Sequence, residues 1–137
     1  MSPDQVFSIA NTFGALTWIV LAVFPRRTMV SDTLVGTIVP GLFAAAYVAI
    51  VVAVFGRVEG SFSTLSGVQM LFANPWLLLA GWLHYLAFDL LIGRWEVVDA
   101  QQRGVPHWLV VPCLFLTLMF GPAGWLLYRI VRAARST

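Results

Sequence analysis

His84 and Asp89 are the residues best placed to do chemistry in this chain. Both ionisable side chains sit inside a run of Trp, Leu, Ala and Phe long enough to cross a bilayer. An ionisable group at that depth is costly, and membrane proteins keep few without a use. An imidazole and a desolvated carboxyl can serve as general base and general acid, in either order. Along a helix they differ by about 7.5 Å in height and about 140° in direction. They therefore do not chelate one ion as an i, i+4 pair would, and no tightly bound metal ion is expected. They are expected to flank an elongated ligand.

Other chemistry-bearing residues follow on the same stretch, residues 74–124: Trp82, Tyr85, Arg94, Glu96, Asp99 and His107. With His84 at 0° and 100° per residue, Asp99 falls at about 60°, Tyr85 at about 100°, Glu96 at about 120° and Trp82 at about 160°. One helix face thus carries most of the polar groups. Leu83, Ala87 and Leu90 lie on the other, so the polar face is expected to point into a bundle and the apolar one towards lipid. Tyr85 and Asp89 are at i, i+4, within hydrogen-bonding reach. Asp99 and Arg103 share that spacing and read as a surface ion pair. Arg94 falls with the apolar residues, where a side chain snorkelling to the membrane edge competes with a site role. Asn11, in an earlier apolar run, is either interhelical glue or a contact to ligand.

The elements that position these residues are set by four uncharged runs, 5–25, 33–56, 60–88 and 104–128. A spanning helix needs about 20 mainly apolar residues. The chain has 137 residues, 60% hydrophobic and 10% charged, against about 25% charged in soluble proteins. The predicted architecture is all-α: one integral membrane four-helix bundle, with helices at about 6–24, 33–55, 75–103 and 107–129. Asn74-Pro75 starts the third, by a capping side chain and a proline at the first helical position. Its first breaker is Gly93, a single glycine that need not end it, and with Gly104 as C-cap it is about 44 Å long. Residues 56–73 form a connection in which Phe62, Leu65, Val68 and Phe72 suggest a short interfacial helix. Pro112 and Gly121-Pro122 predict kinks in the fourth helix, and Gly124 permits close approach of another backbone.

The basic residues are eight arginines with no lysine. They form no patch, and nucleic acid is not an expected partner. The single Cys113, in an apolar run, reads as a packing residue. The first hydrophobic run lacks a basic leader and a cleavage site and reads as a retained helix. Four crossings put both termini on one side, with the arginines divided evenly between the two faces. The acid-free arginine cluster at the C-terminus then favours termini inside.

The pattern W-L-H-Y-L-A-F-D-L at 82–90 is followed by G-R-W at 93–95, D-A at 99–100 and P-H-W-L at 106–109. P-C-L-F-L-T at 112–117 and F-G-P-A-G at 120–124 complete it, with Ala10-Asn11, Trp18 and Pro25 earlier. This set resembles the abscisic-acid-deficient-4-like family, whose plant members are associated with making the xanthophyll neoxanthin. The resemblance implies a carotenoid or related isoprenoid as ligand, and an epoxide opened to an allene with a new hydroxyl. Such an isomerisation uses no redox cofactor, and none is expected. Asp89 as acid and His84 as base, or the reverse, are the implied catalytic residues. Asn11, Trp82, Tyr85, Arg94, Glu96, Asp99 and His107 are the implied substrate contacts. The other readings are a non-catalytic pigment- or lipid-binding subunit of a larger membrane complex, a metal oxygenase using His84, His107 and Asp89 or Asp99, and a proton-coupled transporter. Membrane lipid and a homo-oligomeric or complex partner are the expected company, and the bacterial inner membrane the expected location.

Overall fold

The computed structural model of the protein describes residues 1–135. It is helical throughout, with α1 at Pro3–Val23, α2 at Val39–Val54, α3 at Leu65–Ala73, α4 at Pro75–Gln102, α5 at His107–Phe120 and α6 at Pro122–Arg135. A π-helical segment, Met29–Ile38, leads directly into α2. Three spans are long and apolar enough to cross a membrane: Pro3–Val23, Met29–Val54 and Pro75–Gln102. Their outward faces are apolar. Ile9, Leu16, Ile19 and Val23 on α1 and Val48 and Val52 on α2 are all more than half exposed, as lipid-facing residues should be.

Local chemistry sets the helix starts. Ser2 and Gln5 form a reciprocal capping box at α1. Thr64 caps α3 by accepting from the Gly67 amide at 3.0 Å. Asn74 accepts from the amides of Trp76 and Leu77 ahead of α4, as its sequence predicts. The α4 helix ends at Gln102, and after Arg103 the chain turns at Gly104, whose φ of +67° suits a residue without a Cβ.

Two features differ from the predicted bundle. The second helix begins at Met29, earlier than 33, because its first turns are π-wound. Arg94 from α4 enters there. Its Nε donates to the Ser31 carbonyl at 2.9 Å, and its Nη2 pairs with Asp32 at 2.6 Å. A Cβ on Gly36 would stand 2.7 Å from Arg94 Nε, so glycine leaves the room that guanidinium occupies. A side chain bonded into the carbonyl ladder is a recognised cause of such irregularity.

The larger correction concerns the fourth helix. In place of one kinked span over 107–129, the chain turns back at Gly121. The φ of +37° there lies in the left-handed region, where glycine is favoured. The α5 and α6 helices then pack antiparallel. A Cβ on Gly124 would run into the backbone nitrogen and hydroxyl of Thr117, seven residues earlier. In a continuous helix those residues would be about 10 Å apart. Each arm has 14 residues, about 21 Å, short of the roughly 30 Å hydrocarbon thickness. The result is three helices long and apolar enough to span and a hairpin of two shorter ones, in place of four such helices.

This reverses the predicted placement of the C-terminus. The start of α1 lies beside the start of α4, with Phe7 5.5 Å from Trp82. The α6 helix runs back along α4, so Tyr128 and Arg132 reach Asp99. The two termini are at opposite ends of the bundle. Arg26, Arg27, Arg94, Arg103, Arg129, Arg132 and Arg135 gather at one end, leaving Arg57 alone at the other.

The central helix is α4. The core packs around it, with Trp18 and Leu21 from α1, Val39 and Phe43 from α2, and Val110, Cys113 and Leu114 from α5. Gly93 lets the Trp18 ring lie against the α4 backbone. Leu83, Ala87 and Leu90 are buried in this core. The expectation that they face lipid is therefore corrected: three helices and a hairpin surround α4, so its apolar side meets protein.

Candidate functional site

The polar face of α4 lies against the α5–α6 hairpin. Tyr85 donates to the Leu118 carbonyl at 2.8 Å, although Asp89 is close enough to interact with it. The hairpin gives the reason. A helix ending inside hydrocarbon leaves carbonyls that water cannot reach, and the phenol satisfies one of them. Asp89 lies at the elbow, where a Cβ on Gly121 would come within 2.9 Å of its Oδ1. That position borders the start of α6, the end of a helix at which the dipole favours a negative group. Glu96 is fully buried and takes the Thr117 hydroxyl, which stands 2.9 and 3.1 Å from its two oxygens. Asp99 is more than a surface pair. It meets Arg103 at 3.0 Å, Arg132 at 3.4 Å and the Tyr128 hydroxyl at 2.6 Å, and so ties α6 to the end of α4.

The other nominated residues also hold helices together. Trp82 Nε1 donates to Asn11 Oδ1 at 2.7 Å, joining α4 to α1. Arg94 secures the π-helical segment. His107 Nε2 is 2.7 Å from the Ala22 carbonyl. A carbonyl can only accept, so this nitrogen carries the proton and pins the start of α5 to the end of α1. His107 is thus held far along α4 from His84, and the two imidazoles are not neighbours. Among the described residues no three His, Cys, Asp or Glu side chains converge.

Asp89 and His84 remain. Asp89 Oδ2 is buried without a hydrogen-bond partner, and the described structure gives the His84 ring tilted contacts with two aromatic rings but no hydrogen bond. These are the residues nominated for catalysis, and polar groups left unpaired in apolar surroundings are the ones open to a ligand. The structure does not bring them together. Asp89 faces the hairpin elbow, whereas His84 faces away from it, towards α2 and α3.

His84 lines a cavity of 410 Å³ with Tyr47, Val51, Phe55, Phe62, Leu71, Phe72, Leu77, Ala80 and Gly81. Its ring centroid is 5.8 Å from that of Tyr47 and 4.7 Å from that of Phe88. His84 is itself exposed, so the cavity opens at the side of the helix bundle. Gly81 gives the space, since a Cβ there would come 3.1 Å from the Phe72 ring. Small apolar-lined cavities with few polar groups are the usual form of a ligand site.

Tyr47 is the residue that sequence reasoning missed. It is the sole phenol in the 33–56 run, but no helical spacing within α2 links it to α4. Phe62 and Phe72 were visible as periodic residues, though not as a wall of this cavity.

No curated protein and no solved structure matches the chain. Residues 5–128 match the family described as ABA DEFICIENT 4-like. The matched region takes in the whole His84 cavity and the polar face of α4 from Trp82 to Arg103, and the chain belongs to the ABA DEFICIENT 4-like family.

Proposed function

We propose that this membrane protein binds a carotenoid or related isoprenoid from within the bilayer and isomerises an oxygenated end of it at His84. The family is associated with carotenoid- and neoxanthin-related membrane proteins. The observation that carries the reading is the laterally open, aromatic-lined cavity with an unbonded imidazole in its wall. Its 410 Å³ suits one ring end-group, with the polyene chain lying outside against the exposed Val48 and Val52 of α2 and Phe88 of α4.

The implied conversion, epoxide to allenic alcohol, breaks one C–O and one C–H bond and forms one O–H bond and one C=C π bond. Atoms and electrons balance without an oxidant. It needs a proton delivered to the epoxide oxygen and one removed from the neighbouring carbon. His84 is the proposed base. Tyr47, lining the same cavity, offers a proton donor that Asp89, on another side of α4, does not.

The separation of His84 from Asp89 favours a second reading, a binding subunit that presents the pigment to another enzyme. The test is mass spectrometry of pigments and lipids that copurify with the wild type and with His84→Gln. On the first reading both forms retain an isoprenoid, and conversion falls by about 10²-fold or more in the variant. Retained ligand with no conversion by the wild type supports the subunit reading. No copurifying isoprenoid in either form sinks both.

A further inference from the structure

The arginine-rich end of the bundle has few acids to balance it. Among the described residues its carboxylates, apart from the buried Glu96, are Asp32 and the mostly buried Asp99. Arg94 occupies the first, and Arg103 and Arg132 the second. Among the described residues Arg26 and Arg27 make no ion pair, and Arg129 lies over the Trp125 ring at 5.6 Å. Arginines at a membrane surface without protein counter-ions draw their anions from the lipid headgroups.

One place at this end is shaped to receive such an anion. A cavity of 140 Å³ lies between the turn after α1 and the loop before α5, lined by Pro25, Arg26, Gln101, Gly104, Pro106 and His107, among others. Its walls are already fixed. Gln101 donates to the Pro25 carbonyl at 2.7 Å and His107 to that of Ala22 at 2.7 Å. Arg26 is left as the uncommitted group. Val23 and Phe24 follow Ala22, and Trp108 follows His107; with those two residues bonded across the helices, the three exposed apolar side chains mark a seam where α1 meets α5.

We propose that this cavity seats the phosphate of an anionic phospholipid, gripped by Arg26, with an acyl chain along the α1–α5 seam. Both halves of a phospholipid are then matched: a planar guanidinium suits two phosphate oxygens, and the seam suits the chain. A free phosphate matches the first half only. The site is separate from the His84 cavity, which lies towards the other end of α4.

Native mass spectrometry of the full chain in detergent, with added phosphatidylglycerol or phosphatidylcholine, tests this without any carotenoid. Phosphatidylglycerol should be retained at least about fivefold better. Arg26→Gln should lose that preference, and Arg57→Gln, at the opposite end, should keep it. Arg26→Lys, which retains the charge but not the fork, should retain an intermediate preference, and it decides the matter if the Gln variant does not fold. Equal retention of the two lipids, or an undiminished preference in either Arg26 variant, overturns the proposal. So does inorganic phosphate that displaces the lipid and raises the melting temperature equally, because the site would then serve a soluble anion.

Discussion

Glu96 and Thr117 show what a single buried contact does here. The Glu96 carboxyl is fully enclosed, and the Thr117 hydroxyl is its hydrogen-bond donor. Removing one partner strands the other in an apolar interior, which costs about 1–3 kcal/mol. We predict that Thr117→Val lowers stability by that amount, whereas Glu96→Gln, able to bond the same hydroxyl, changes it by less than about 1 kcal/mol. Thermal unfolding in detergent compares the two, and equal effects would mean that the bond is not what matters. Asp89 makes a different case. Its carboxyl abuts Gly121 at the elbow and not the cavity of His84. Asp89→Asn should therefore leave conversion at the His84 cavity within about threefold of wild type, a change of less than 1 kcal/mol in the barrier. A drop as deep as that of His84→Gln would return Asp89 to the mechanism.

The element that decides the architecture is the α5–α6 hairpin, and two glycines separate its packing from ordinary helix propensity. Gly124 lies against the Thr117 backbone with no room for a methyl group, whereas a Cβ on Gly41 of α2 would meet nothing within 4 Å. We predict opposite signs. Gly124→Ala forces the arms apart and costs about 1–3 kcal/mol, as overpacking does. Gly41→Ala gains up to about 1 kcal/mol, because alanine is the better helix former. Melting temperatures of the two variants check this. Neutral behaviour of Gly124→Ala would show that the arms do not close on each other.

At the scale of the whole molecule, three long helices and a hairpin put the start of α1 and the end of α6 at opposite ends of the bundle. They also convert an even division of arginines into one of Arg57 against Arg26, Arg27, Arg94, Arg103, Arg129, Arg132 and Arg135. The excess of basic residues faces the cytoplasm in membrane proteins. We predict an external N-terminus and a cytoplasmic C-terminus. Compartment-sensitive reporters fused to each end should read opposite sides. Reporters on the same side would restore the four-span bundle, and opposite sides with the C-terminus outside would contradict the charge argument alone.

Sequence alone determined what depends on nearest neighbours and on composition. The uncharged runs predicted four spans, and three of them are long apolar helices, because hydrocarbon admits few charges over about 20 residues. Asn74-Pro75 and Gly104 gave the bounds of α4, because capping acts within one turn. Angular spacing placed Tyr85, Asp89, Glu96 and Asp99 near one face, because those angles belong to any regular helix. What that face met was a tertiary matter. The turn at Gly121 and the fit of Gly124 on Thr117 made a hairpin from a run long enough to span. The apolar side of α4 turned inward because three helices and that hairpin surround it. His84 acquired Tyr47, Phe55 and Phe72 from elements up to about 40 residues away in the chain, and no local periodicity records such a meeting. The pairing of Arg94 with Asp32 and of His107 with the Ala22 carbonyl was equally hidden, since each needs two segments to be adjacent before either side chain has a partner.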